Sequence, residues 1–269
     1  MLSFIKTNSF NAVAPGQTAT VNLPTSQKYH RLDLIYSRGG VLATEAQMKS
    51  DINQVRLKIN GKVQRVFSAT ELFAINGDNG QPVAAGVLPI FFAEPWRRSA
   101  QGEDALAWGT TDVDTFQVEV DIDGAAVSPG LYGQVLVDTM NTPLGPIVKW
   151  RRQNIPVTAT GITTTTTLDK NNGYYRIHAF STNIDDIAVI VDQERILEAT
   201  AEALEAHYAT SGVSVDASET LIAFDSDQRI SSALPMKKNG KQVSEFRVEW
   251  NMSSAASFNI ISELLGVAD

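Results

Sequence analysis

Cysteine is absent from the 269 residues, which excludes disulfides, thiol catalysis and thiolate metal sites together. Histidine is nearly absent too: only His30, His178 and His207 occur, and two of them fall on expected strands with no motif around them. They read as isolated surface or half-buried side chains rather than a metal or acid/base site. No phosphate-binding glycine loop, nucleophile-elbow serine or zinc motif is present. No segment approaches the ~18–20 apolar residues of a membrane span. The opening run "MLSFIKTNSFNAVAPG" is broken by Lys6, Asn8 and Asn11, so it is not expected to act as a signal peptide. A soluble chain made in a host cytoplasm is the expectation. Basic residues are outnumbered 22 to 30 and the net charge is −8, so no direct sequence-specific nucleic-acid binding is expected.

What is present is alternation. Ala19–Pro24, Tyr29–Ser37, Val55–Asn60, Val63–Ser68, Val87–Phe92, Phe116–Ile122 and Tyr132–Asp138 place β-branched or aromatic residues at every second position, as half-buried strands do. Asn60-Gly61, between two of them, fits a type I′ hairpin because both central residues need positive φ. The second half repeats the style in Val157–Thr167, Tyr174–Ser181, Ile187–Val191, Leu221–Phe224 and Phe246–Met252. Its threonine run, Thr163–Thr167, reads as an edge strand or a flexible linker. Two helices are expected. A short one follows Ser68, which stands in capping-box relation to Glu71. A longer one spans Gln193–Ala209, with Ile196, Leu197, Ala201, Leu204 and Tyr208 on one stripe and Glu194, Glu198, Glu202 and Glu205 opposite.

The two halves also align in order. Tyr29–Leu32 matches Tyr174–Ile177, and Ile52–Asn60 matches Ile184–Asp192. Leu88 and Phe91 then match Leu221 and Phe224, while Phe116, Val118 and Glu119 match Phe246, Val248 and Glu249. The offset falls once and then stays nearly constant, as two copies with different loops would give. The expected fold is therefore all-β: two tandem jelly-roll β-sandwich domains, residues 1–152 and 153–269, with a few short helices. Three such chains around a three-fold axis would display six similar units and could tile a hexagonal lattice.

The runs "LPTSQKYHRLDLIYS" from Leu23, "INQVRLKINGKVQRVF" from Ile52 and "DIDGAA" from Asp121 resemble the major capsid proteins of corticoviruses, tailless membrane-containing icosahedral bacteriophages. Leu23, Pro24, Gln27, Tyr29, Asp33, Leu34, Tyr36, Ser37, Ile52, Val55, Gly61, Asp121, Ile122, Asp123, Ala125 and Ala126 carry the likeness. It implies a double jelly-roll coat subunit, without catalytic function, in a virion capsid. Such a subunit forms homotrimeric, pseudo-hexameric capsomers that meet neighbouring capsomers and minor or vertex proteins around an internal lipid membrane. A jelly-roll carbohydrate-binding module or a receptor-binding virion protein is the alternative, and a β-sandwich glycosidase a third.

Two features could carry site chemistry. The pairs Asp112/Asp114, Asp121/Asp123, Asp185/Asp186 and Asp225/Asp227 read as solvated strand ends and turns, with structural, subunit-bridging calcium left open because "DIDGAA" lacks full calcium-loop spacing. A repeated Trp-Arg-Arg, at Trp96, Arg97 and Arg98 and again at Trp150, Arg151 and Arg152, gathers five basic residues with Lys149. Tryptophan and arginine suit a subunit interface or a lipid-headgroup surface, and arginine stacked on tryptophan within one chain is the third reading.

Overall fold

The computed structural model describes residues 1–97, 100–140 and 142–269, with backbone alone at 100 and 101. Arg98 lies outside the described residues. The chain divides into two compact units: Met1–Asn76, Gln81–Trp150 and Val267–Asp269 form the first, and Gly77–Gly80 with Arg151–Gly266 the second.

In the first unit the order is β1 (Leu2–Lys6), β2 (Thr18–Leu23), β3 (Lys28–Arg38), β4 (Val41–Leu42), α1 (Glu45–Asp51), β5 (Ile52–Ile59), β6 (Lys62–Phe67), α2 (Ala69–Asp78), β7 (Val87–Phe91), α3 (Ala100–Asp104), β8 (Trp108–Gly109), β9 (Phe116–Ile122) and β10 (Pro129–Asp138). The chain continues through β11 (Ile147–Ile155), β12 (Gly161–Thr165), β13 (Gly173–Phe180), β14 (Ile184–Val191), β15 (Glu194–Thr200), α4 (Ala201–Ala209), β16 (Thr220–Ala223), β17 (Lys237–Lys238), β18 (Lys241–Gln242), β19 (Phe246–Met252) and β20 (Phe258–Gly266).

The first unit's sheets run β1-β10-β3-β7 and β2-β9-β5-β6, with the two-residue strands β4 and β8 also paired to β3. In the second unit the orders are β11-β20-β13-β16 and β12-β19-β14-β15, beside the small β17-β18 hairpin. Leaving out the two-residue strands, each unit joins its first, eighth, third and sixth strands in one sheet and its second, seventh, fourth and fifth in the other. That antiparallel order is the jelly roll. The four sequence matches fall on β3/β13, β5/β14, β7/β16 and β9/β19, strands of equal rank in the two units. A helix, α2 or α4, separates the fifth and sixth strands of each.

Alternation does what it should on the seventh strands: Phe116, Val118, Val120 and Ile122 of β9 and Phe246, Val248, Trp250 and Met252 of β19 are buried, with half-buried neighbours between. Edge-to-face contacts of Tyr29 with Phe92 and Phe116, and a tilted contact of Trp108 with Phe92, make the aromatic centre of the first unit. In the second, Trp250 donates its indole N–H to Thr165 Oγ1 at 3.0 Å, which satisfies the polar atom of a wholly buried ring. The threonine run is thereby half structural, as β12 lies at the edge of its sheet.

The helix expected over Gln193–Ala209 is corrected. Residues Glu194–Thr200 pair with β14 as strand β15, and only Ala201–Ala209 is helical. Asp192 and Gln193 have positive φ (47° and 70°), the hairpin turn that sends the chain back along β14. Thr200 then caps the helix by accepting from Ala203 N at 3.2 Å. The expected capping box of the shorter helix is present: Ser68 N donates to Glu71 Oε2 and Glu71 N to Ser68 Oγ.

Candidate functional site

With both sheets of a jelly roll open to solvent on one side, exposed apolar side chains mark the faces free to meet another surface. On the edge strand β1, Leu2, Phe4 and Ile5 are all exposed, although a strand with a buried face would hide alternate residues. Phe4 stands beside a cavity of about 390 Å³ whose lining includes Arg31, Ile35, Val87 and Phe91. Arg31 lies over the rings of Phe4 and Phe91 and pairs with Asp33 at 3.0 Å. Burial raises the Asp33 pKa, and the Arg31 charge works against that rise. In the second unit a cavity of about 490 Å³ is lined by Ile162, Ala188, Arg195, Glu198, Glu249 and Asn251 among others. Arg195 bridges Glu198 and Glu249 across it.

The Trp-Arg-Arg repeats are taken up largely by their own chain. Arg97 is buried and donates to Glu94 at 2.7 Å, while Trp96 is half-buried and edge-on to Phe91. Lys149 is buried and pairs with Asp269 at 2.8 Å. Trp150 is buried edge-on to Phe67, with the Arg65 guanidinium 5.0 Å from its ring. Arg151 is half-buried and Arg152 exposed.

The aspartate pairs serve as turn and strand-end acceptors. Asp121 accepts from Arg56 and Thr18, and Asp123 from Asn53 and Ala125 N. Asp112 accepts from Leu144 N, Asp186 from Asn251, and Asp227 from Ser232. Asp225 is different: it is wholly buried and held by Arg176 at 2.8 and 3.3 Å.

The reading of the histidines as isolated is corrected for two of the three. His30 is buried against Asp104, 3.1 Å away. His178, on β13, is wholly buried among carboxylates. Its Nδ1 faces both oxygens of Glu219 at 3.3 Å and Asp78 Oδ2 at 3.5 Å, and its Nε2 faces Glu263 Oε1 at 3.7 Å. Burial opposes the charged imidazole, yet the negative field of Glu219, Asp78 and Glu263 holds its pKa well above the ordinary value. Burial pushes the Glu219 carboxyl the other way, above the usual carboxylate range. No spacing rule could have found this cluster, since its members come from α2, β13, β20 and the segment before β16.

Comparison with known proteins fits this architecture. The model of the viral coat protein P2 N-terminal domain matches residues 4–137, and that of the P2 C-terminal domain residues 147–268. The major capsid protein P2 of Pseudoalteromonas phage PM2 is 31% identical over 137 residues, a stretch covering 49% of this chain and 48% of that protein. The matched stretch thus spans about half the length of that curated relative. The crystal structure of P2 from bacteriophage PM2 superposes with a TM-score of 0.89 at 22% identity, covering 100% of this chain and 98% of the other. The STIV major capsid protein superposes at 0.71 with 12% identity, covering 99% and 97%, and the PBCV-1 capsid protein at 0.66 with 8%, covering 100% and 96%. These structural likenesses concern the fold, while the two family models together span nearly the whole sequence and settle its descent: the chain belongs to the P2 viral coat protein family.

Proposed function

We propose that this chain is the major capsid protein of an icosahedral virion, assembled as a homotrimer whose six jelly rolls form a pseudo-hexameric capsomer. The observation that carries the reading is the repetition of one eight-strand order in both units of a single chain. A ring of three such chains offers six nearly equivalent edges, and a lattice built from them needs only one kind of contact repeated with small variations. The exposed Leu2, Phe4 and Ile5 of β1 supply apolar surface for such contacts, and the Arg195–Glu198–Glu249 charges supply register. Neighbouring capsomers and minor or vertex proteins are the partners, and an internal membrane is the layer beneath. In the second unit, exposed Arg152 is the residue of the tryptophan–arginine repeats offered to a subunit or lipid-headgroup contact.

Light scattering on a sizing column tests the assembly. A species of three chain masses supports the trimer, and a monomer at every concentration overturns it. Flotation with liposomes of anionic and zwitterionic composition tests the membrane contact separately, because a trimer that ignores both would keep the capsomer and lose the lipid.

A further inference from the structure

Among the described residues, Asp78, His178 and Glu219 are the group whose ligand-type atoms converge, all within 4.8 Å of one another, and all three side chains are buried within the second unit. We infer that these three residues form a structural site for a first-row divalent transition metal of the Zn²⁺ class, with Glu263 orienting the imidazole from its far side.

Distances make the case. A charge-assisted N–H···O bond closes to about 2.7–2.9 Å, and Nδ1 has one hydrogen to give. Here it faces three carboxylate oxygens at 3.3, 3.3 and 3.5 Å, each longer than a charge-assisted bond closes to. Ligands held about 2.0–2.1 Å from a tetrahedral metal stand about 3.3–3.4 Å apart, close to the separation of Nδ1 from each of these oxygens. Asp78 Oδ2 is buried, aimed into the group, and receives no hydrogen bond. Its partner Oδ1 accepts from Asp216 N at 2.9 Å, which fixes the carboxylate plane. The equal reach of both Glu219 oxygens suits a two-oxygen ligand that completes four-coordination.

Charge and chemistry agree. Four buried carboxylates, those of Asp78, Glu219, Asp225 and Glu263, surround the Arg176 guanidinium and the His178 ring. A buried carboxylate needs a cation or a proton beside it. A divalent ion on a neutral imidazole supplies the positive charge that the protons on the imidazole and on Glu219 would otherwise supply. Carboxylate and imidazole together select against calcium and magnesium, which take oxygen ligands. Glu263 Oε1, facing Nε2 at 3.7 Å, is placed to accept that ring proton, the carboxylate–histidine–metal arrangement that fixes the tautomer. A cavity of about 200 Å³ lined by Ser181, Leu204, Glu205 and Glu219 adjoins the site and gives a metal a way in.

The test uses the purified full-length protein. Elemental analysis is expected to find one transition metal per chain. Dialysis against dipicolinate should lower Tm by several degrees, and Zn²⁺ should restore it where Ca²⁺ does not. Co²⁺ in its place should give the intense visible absorption of a tetrahedral site. His178→Gln and Glu219→Gln should each lose the metal and the absorption. If either fails to fold, the wild-type Co²⁺ spectrum and Tm titration still decide. Wild-type protein with no stoichiometric metal and a Tm unmoved by Zn²⁺ overturns the inference. So does restoration by Ca²⁺ alone, or a folded His178→Gln chain that keeps its metal.

Discussion

Asn60 and Asp192 hold the same place in the two units and make the same bonds. Asn60 Oδ1 accepts from Asp114 N and Thr115 N at 2.9 and 3.1 Å, and its own N–H donates to Thr115 O at 2.9 Å. Asp192 Oδ1 accepts from Ser244 N and Glu245 N at 2.7 and 3.1 Å, and its N–H donates to Glu245 O at 3.0 Å. Each opens a hairpin with two successive positive-φ residues and ties it to the segment entering the seventh strand. The duplication thus reaches individual hydrogen bonds.

The copies differ at the next position. Gly61 takes φ 78° without penalty, whereas Gln193 takes 70° with a side chain. A left-handed non-glycine residue costs roughly 1–2 kcal/mol. Gln193→Gly should therefore stabilise the chain by about 1 kcal/mol, net of the entropy glycine adds to the unfolded state. Urea denaturation reads this directly, and a lower midpoint would refute the strain.

This turn also shows why the helical pattern in the sequence extends back through the seven residues of β15, beyond the helix itself. Helical periodicity is real from Ala201 on, but Glu194–Thr200 carries good helix formers that tertiary pairing with β14 overrides. Ile196 and Leu204, placed on one stripe by the helical reading, part company: Ile196 is exposed and Leu204 buried on α4. Leu204→Ala should cost about 2–5 kcal/mol, whereas Ile196→Ala should change stability by under ~0.5 kcal/mol. Equal losses in the two variants would restore the single helix.

What could be read from the chain followed from chemistry that repeats locally. Half-buried strands alternate, so β5, β9 and β19 stand out, and the Asn60-Gly61 turn announces itself by its φ requirement. Strand β20 does not stand out because Ile260 to Leu264 are buried without a break, leaving no period of two. The cluster around His178 is wholly non-local, so nothing in any one segment marks it. The tryptophan–arginine repeats were conspicuous, but their spacing could not reveal that Glu94 and Asp269 take Arg97 and Lys149.

His30 gives a pH dependence with a definite sign. Burial lowers its pKa below the ordinary 6.5, with Asp104 and Asp138 opposing the fall and Lys28 adding to it. The unfolded chain therefore binds a proton first. Its contribution is fully present above about pH 6.5 and is lost as pH falls from there through the folded-state value. Melting curves from pH 7.5 to 5 should show the wild type losing Tm faster than His30→Gln. Parallel curves would place no proton linkage at this residue.

Gly109 on β8 tests close packing of backbone on backbone. A methyl group there would sit 2.4 Å from the carbonyl oxygens of both Thr142 and Pro143, which cannot swing away as a side chain can. Gly109→Ala should cost about 1–3 kcal/mol by forcing the strand and that segment apart. An unchanged denaturation midpoint would mean that the segment yields freely.

Trp150 and Arg152 separate the fold from the surface within one motif. Trp150 packs in its unit edge-on to Phe67 with the Arg65 guanidinium over its ring, and Arg65 also donates to Val148 O at 2.8 Å and Phe91 O at 2.6 Å. Removing the ring takes away both the apolar contact and the face on which a buried cation rests, so Trp150→Ala should cost about 3–5 kcal/mol. Arg152 is exposed, and Arg152→Ser should leave the denaturation midpoint within ~0.5 kcal/mol of wild type. If the motif meets headgroups, Arg152→Ser should nonetheless weaken binding to anionic liposomes. If it meets a neighbouring subunit, the same change should instead weaken the proposed trimer, so that it dissociates at a higher concentration. A variant with wild-type behaviour in both assays would confine the motif's role to Trp150 and the core of its own unit.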